Sequence, residues 1–301
     1  MPNELRVAVI LKGSAHQIWK WVQAGVAQGV QGLQNQGTIL DVQWKAPLRE
    51  DDANEQAEIY RGFIRQGVDG IILAPVDNHT LVGPVEEAAS AGTPTVAVDS
   101  VLDTLKIVSF IATDNKKGGA LAADRMAALL PNGGKVLLQR YQKDSPSTEA
   151  REQGFVERLK SHSGFDVVIS NEYAGTRDSA RKVAEIEVTR IGPDLKGVFT
   201  PNESSTAGML MALQGLHLAG KIAHVGFDAS DIYVDSVRHK LILGLVIQNP
   251  FLMGKLAIET IVDHLNGKIV PKRIDTGVTL VTPENIDDPG IRVLVNPPFA
   301  K

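Results

Sequence analysis

Val68-Asp69-Gly70-Ile71-Ile72-Leu73-Ala74-Pro75 is the stretch on which the fold turns. Its apolar run is short, continuous and bounded by Gly70 and Pro75, so it predicts a strand with no polar face. Such a strand belongs inside a parallel sheet covered by helices on both sides. The pattern returns as Leu195-Lys196-Gly197-Val198-Phe199-Thr200-Pro201, which points to two similar βαβ bodies in one chain.

The rest of the sequence alternates in the same way. Strands are predicted over 6–11, 38–44, 70–74, 95–98, 106–112, 135–138, 166–169, 197–200, 223–226 and 243–247. Helices are predicted over 19–36, 52–66, 79–91, 115–130, 148–161, 177–191, 203–218 and 250–266. Gly67 and Gly92 fall where left-handed helix caps are wanted. The fold class is α/β, and 301 residues exceed what one hydrophobic core usually supports, so two lobes are expected.

Composition narrows the function. A 43% apolar and 22% charged chain is globular rather than disordered or fibrous. With 31 basic against 35 acidic residues there is no basic stripe, and no nucleic-acid partner is expected. The absence of cysteine excludes disulfides, thiol nucleophiles and cysteine-ligated metals. Apolar runs such as 241–247 are too short to cross a bilayer.

Enzyme signatures are weak. Gly215 to Lys221 has the spacing of a phosphate loop, but Ile222 stands where a hydroxyl is needed and the segment follows a helix. Gly25, Gly29 and Gly32 lie inside a helical pattern and read as packing positions rather than a dinucleotide motif. Asp51 and Asp52 read as helix caps. The histidines form no i, i+4 pair, so no metal site, catalytic residue or cofactor is expected.

Residues just after the strands form a more coherent set: His16 and Trp19 after the first, Asp99 after the fourth, then Arg151, Asn202, Phe227, Asp228 and Gln248. In open α/β sheets that end carries the ligand. Carboxylates, a guanidinium, amides and aromatic faces together suit a polyhydroxylated molecule, whose hydroxyls donate and accept. Taken singly, Asp99 and Asp228 also read as caps, Arg151 as a surface ion pair and Asn202 as the cap of the following helix.

These segments carry a family likeness. Val68 to Ile72, Pro94 to Asp99, Ala112-Thr113-Asp114-Asn115 with Gly118-Gly119, Ser147-Thr148 through Arg151 to Phe155, Val198 to Glu203, Val225 to Asp228, and Gln248 before Pro250 occur in family order. The chain resembles the periplasmic sugar-binding proteins of ABC transporters, in the group of the ribose-binding protein. The resemblance implies two Rossmann-like lobes joined by three hinge crossings, a first lobe of 1–111 with 249–276 and a second of 112–248 with 277–301. It places the binding residues at His16, Ile18, Trp19, Asp99, Arg151, Asn202, Phe227, Asp228 and Gln248. It further implies a membrane permease as partner, a monomer, and a periplasmic location, with a leader removed ahead of Met1-Pro2-Asn3.

The departures bear on the ligand. The ribose pattern's Asn, Pro and two Phe after the first strand are His16-Gln17-Ile18-Trp19 here, and its Asp-Arg pair is Asp99-Ser100. Its Asn-Pro is Ala74-Pro75, and Gly175 or Thr176 replaces an aromatic before the 177–191 helix. Another monosaccharide, or a sugar alcohol such as an inositol, is therefore expected in place of ribose. Two alternatives share the fold: the effector core of a LacI-type regulator, which needs a helix-turn-helix ahead of the first strand, and a sensory binding protein that presents its ligand to a receptor.

Overall fold

The apolar runs all lie within two parallel-dominated sheets. The computed structural model describes residues 4–14 and 16–295; Met1-Pro2-Asn3 and Ala15 lie outside it. The chain runs through β1 (Leu5–Ile10), α1 (Gln17–Asn35), β2 (Leu40–Lys45), α2 (Ala53–Gln66), β3 (Gly70–Leu73), α3 (Val82–Ser90), β4 (Thr95–Val98) and β5 (Ser109–Ala112). It continues as α4 (Asn115–Leu129), β6 (Gly134–Leu138), α5 (Pro146–Lys160), β7 (Phe165–Ile169), α6 (Arg177–Ile191), β8 (Leu195–Phe199) and α7 (Glu203–Gly215). Last come β9 (Ala223–Phe227), α8 (Asp231–Arg238), β10 (Gly244–Ile247), α9 (Pro250–Leu265), β11 (Arg273–Asp275), β12 (Thr279–Val281) and α10 (Pro289–Val295).

One sheet is ordered β11-β5-β4-β3-β1-β2 and the other β12-β10-β9-β8-β6-β7. The second therefore repeats the first, and the chain passes between them three times, after β5, β10 and β11. Within the sheets only β12 runs antiparallel, pairing Leu245 with Val281. Among the described residues no helix is long and apolar enough to cross a membrane.

Most predicted elements are present with shifted ends. α3 starts at Val82 rather than residue 79 because Asp77 holds the turn before it, accepting from the His79 and Thr80 N–H groups. β11, β12, α8 and α10 were not predicted; the two strands have three residues each, too short for any alternation to register. Asp52 caps α2 by accepting from Glu55 N–H, as expected, whereas Asp51 pairs with Arg49.

Glycines set the closest helix contacts, in the same way in both halves. A Cβ on Gly25 of α1 would lie 1.9 Å from the Phe251 carbonyl oxygen of α9, and one on Gly254 would lie 2.0 Å from that of Val22. In the second half, a Cβ on Gly119 of α4 would meet the Arg151 carbonyl of α5 at 2.0 Å, and one on Gly154 that of Lys116 at 2.1 Å. The packing expectation thus holds for Gly25 and Gly29; Gly32 faces open space.

One core group makes stability depend on pH. His224 of β9 is fully buried, with Nε2 3.0 Å from Thr200 Oγ1. Burial pushes its pKa down to about 3. The unfolded chain takes up this proton at its ordinary pH of about 6.5, so the contribution is whole above that and is lost as pH falls toward the folded value. The expected slope is ~1.4 kcal/mol per pH unit over that window. Urea midpoints measured from pH 7 to 4.5 are expected to fall less steeply in His224→Gln; parallel slopes would reject the assignment.

Candidate functional site

β4 and β9 hold equivalent places in the two sheets, and each is followed by an aspartate in the left-handed region, Asp99 at φ 62° and Asp228 at φ 68°. That conformation is uncommon outside glycine, and Asp tolerates it better than most residues. It is held by the neighbouring strand: Asp99 N–H donates to Ile111 C=O at 3.1 Å and Asp228 N–H to Val246 C=O at 2.9 Å. Both carboxylates line one narrow cavity of ≈ 30 Å³ between the sheets.

Arg151 of α5 stands between them. It is 2% exposed, with Nη2 3.9 Å from Asp99 and Nη1 4.0 Å from Asp228. Nε donates to Asn115 Oδ1 at 2.8 Å and Nη1 to the Pro201 carbonyl at 2.9 Å. Nη2 is buried without a hydrogen-bond partner. The guanidinium lies 4.0 Å over the Phe227 ring, whose room is made by Gly118: a Cβ there would lie 2.8 Å from Phe227 Cζ.

Asp99 has a second cation that the sequence reading missed. Lys12, two residues past the end of β1, donates to Asp99 Oδ2 and to Ser100 Oγ, each at 2.7 Å. The end of β1 is fixed by buried Gln56, whose amide donates to the Leu11 and Ala74 carbonyls and whose oxygen accepts from Val76 N–H. The positive charge missing at Ser100 is thus supplied from another strand. Burial pushes the Asp99 carboxyl up, but Lys12 and Arg151 outweigh it and hold the group below the usual carboxylate range. For Asp228 burial wins and raises the pKa, with Arg151 and Gln248 opposing.

In the same half as Lys12 and Asp99, His16 Nδ1 lies 2.9 Å from Glu50 Oε2, and Trp19 Nε1 donates to Glu50 Oε1 at 2.5 Å. With its N–H committed, Trp19 offers the cavity only carbon. Gln248, where the chain leaves β10, donates to Asp228 Oδ1 at 2.8 Å, leaving its own oxygen buried and unpartnered.

Of the nine sequence candidates, His16, Ile18, Trp19, Asp99, Arg151, Asn202, Asp228 and Gln248 line this cavity together. Phe227 is not among the lining residues; its ring lies beneath the Arg151 guanidinium. The modest reading of Asn202 also holds, since its Oδ1 accepts from Ser205 N–H and caps α7. Arg151 as a surface ion pair does not hold. Lys12, Glu50, Tyr141, Ser145, Ser147 and Thr148 complete the lining. Lys12 was within reach of the strand-end rule; Glu50 was not, because it comes from the turn between β2 and α2.

The walls also touch directly. Gln17 N–H, at the start of α1, donates to Glu203 Oε2 at 2.9 Å, and Ser100 Oγ donates to Ser147 Oγ at 3.0 Å. Two lobes of one topology, closed over a buried polar cavity at their strand ends, define a protein that captures a small solute between its halves.

The chain belongs to the periplasmic binding protein family: the family model described as periplasmic binding protein domain matches residues 7–269. It is 30% identical over 237 residues to the ribose import binding protein of Bacillus subtilis, covering 77% of this chain and 75% of that one. It is 27% identical over 276 residues to the D-allose-binding periplasmic protein of Escherichia coli, covering 88% and 86%. An ABC transporter solute-binding protein from Agrobacterium vitis, solved with bound D-fucose, superposes with a TM-score of 0.91 at 30% identity, over 96% of this chain and 99% of that one. These are binding proteins of ABC sugar transporters, the class to which this chain is assigned; the regulator alternative finds no support among them.

Proposed function

We propose that the protein captures a neutral monosaccharide or cyclic sugar alcohol in the cavity between its lobes and delivers it to the permease of an ABC transporter. One observation carries the ligand class: a buried donor with no partner, Arg151 Nη2, and a buried acceptor with no partner, Gln248 Oε1, line the same small space. A hydroxyl-rich ligand satisfies both kinds of atom, and leaving either unmet costs ~1–3 kcal/mol. Charge supports a neutral ligand. Lys12, Arg151 and Arg177, with His16 when protonated, balance Asp99, Asp228, Glu50 and Glu203, so no surplus charge awaits an ion.

The sugars named for the relatives, ribose, allose and fucose, fit that chemistry without selecting one. Ser100, and Gly175 or Thr176, stand where the ribose group has larger residues, and on that ground a ligand other than ribose is proposed. The lobes are proposed as 1–111 with 249–276 and 112–248 with 277–301, rotating about the three crossings as the ligand bonds to both walls. We further propose that it works as a monomer outside the cytoplasm, in line with its periplasmic relatives.

The test is a thermal-shift screen against pentoses, hexoses, inositols, alditols and amino acids. A ligand at a hundred times its dissociation constant is expected to add ~2.7 kcal/mol of stability. A response only to amino acids, or to nothing, would reject the polyol reading. Within that reading, Asp228→Asn keeps the side-chain shape and tolerates the left-handed backbone but removes the charge. Calorimetry is expected to show affinity weakened by ~2 kcal/mol, as for lost charged hydrogen bonds. Unchanged affinity would place the ligand elsewhere.

A further inference from the structure

Glu50 is the lining residue whose two oxygens are both spent on other lining side chains, His16 and Trp19. We propose that Glu50 is a positioning residue for ligand binding, which sets the orientation of both rings and fixes which imidazole nitrogen meets the ligand. The inference rests on the polyol-cavity reading above.

Several features place this carboxylate. The turn that carries it is closed by Asp52 N–H donating to the Arg49 carbonyl at 3.2 Å. Asp52 then caps α2, Glu55 accepts from Leu48 N–H at 2.9 Å, and Arg49 grips Asp51. Across the cavity wall, Gly13 leaves room for the stem, since a Cβ there would lie 2.5 Å from Glu50 Cγ. The side chains of Glu50 and His16 are each 11% exposed, so water competes little for the bond between them.

The chemistry follows from what a carboxylate can do. It only accepts, so the nitrogen facing it, Nδ1, must carry hydrogen. Nε2, which has no hydrogen bond to any described residue, is then a donor when the ring is charged and an acceptor when it is neutral. Burial opposes the charge on His16, but the bond from Glu50 and the charges of Glu50, Glu203 and Asp228 raise its pKa above the ordinary value. Lys12, Asp99, Tyr141 and Arg151 line the same cavity. Ligand affinity should therefore change with pH above the ordinary imidazole range, where the atom offered by His16 switches role.

Glu50→Gln separates this role from simple packing. A single amide oxygen cannot accept from both rings, and the amide NH₂ turned toward Nδ1 stabilises the neutral ring with hydrogen on Nε2. In ¹⁵N-labelled protein at pH 7, the His16 signals, identified by their absence in His16→Gln, are expected to lose the protonated-Nδ1 signature in Glu50→Gln. The Trp19 indole signal is expected to move while those of Trp21 and Trp44 stay. Calorimetry with D-ribose, D-allose, D-arabinose, D-fucose and myo-inositol from pH 5.5 to 8.5 is expected to show about 10-fold weaker binding of the tightest one and a flattened pH profile. Glu50→Asp, which keeps the charge, is expected to recover the profile.

Unmoved imidazole and indole signals would overturn the proposal, as would weaker binding with an unaltered pH profile. If the wild-type protein binds none of the five compounds, the polyol reading falls instead, and the resonances still decide the role of Glu50.

Discussion

Arg151→Met is expected to remove ligand binding and to destabilise the fold at once. The guanidinium is buried, stacked on Phe227 and flanked by two buried carboxylates. Methionine fills much of its volume but leaves Asp228 without a cation and strips a donor from Asn115 and from the Pro201 carbonyl. Breaking a buried ion pair by removing one partner costs ~3–5 kcal/mol, and loss of this magnitude is expected in urea unfolding. Binding is expected to weaken by more than about 100-fold, ~2.7 kcal/mol, because Nη2 is the unpartnered donor lining the cavity. Arg151→Lys should recover part of the stability, since the charge returns, but little affinity, since one ammonium cannot reproduce the guanidinium fork. Wild-type affinity in either variant would show that the ligand does not occupy this cavity.

The second large effect is expected where no ligand is involved. Gly119→Ala should stabilise an ordinary helix by ~1 kcal/mol. Here the new methyl group would lie 2.0 Å from the Arg151 carbonyl oxygen and 2.7 Å from Phe155 N, both main-chain atoms that yield only if α4 and α5 separate. The expected outcome is a loss of ~3 kcal/mol or more, as for severe overpacking. Ligand affinity should fall with it, because the displaced turn carries Arg151. Gly32→Ala is the control: its Cβ meets nothing, so the ordinary helical gain is expected. Equal effects at the two positions would show that the helix contact is softer than its geometry implies.

Part of the site could be read before any coordinates. Asp99 and Asp228 follow short apolar strands, and parallel topology alone brings such residues to one end of a sheet. For Phe227, position after a strand says where the backbone goes, not which partner covers the ring; that ring packs between Gly118 and Arg151. Ser100 read as a lost cation because the sequence compares position with position. The ammonium of Lys12 reaches Ser100 from 88 residues away along the chain.

The sequence by itself determined the α/β class, the repeated halves, the helix-packing glycines and most of the polar set at the strand ends. These depend on local periodicity and on strand order, which side-chain pattern encodes. Only the tertiary structure decided which donors and acceptors are already spent inside the protein and which are left for a ligand. That balance is set by distances of about 3 Å between residues far apart in the chain, and hydrogen bonding is decided on that scale. Glu50 is the plainest case: nothing near it in sequence marks it, and its two oxygens acquire their partners only when the turn before α2 meets the start of α1.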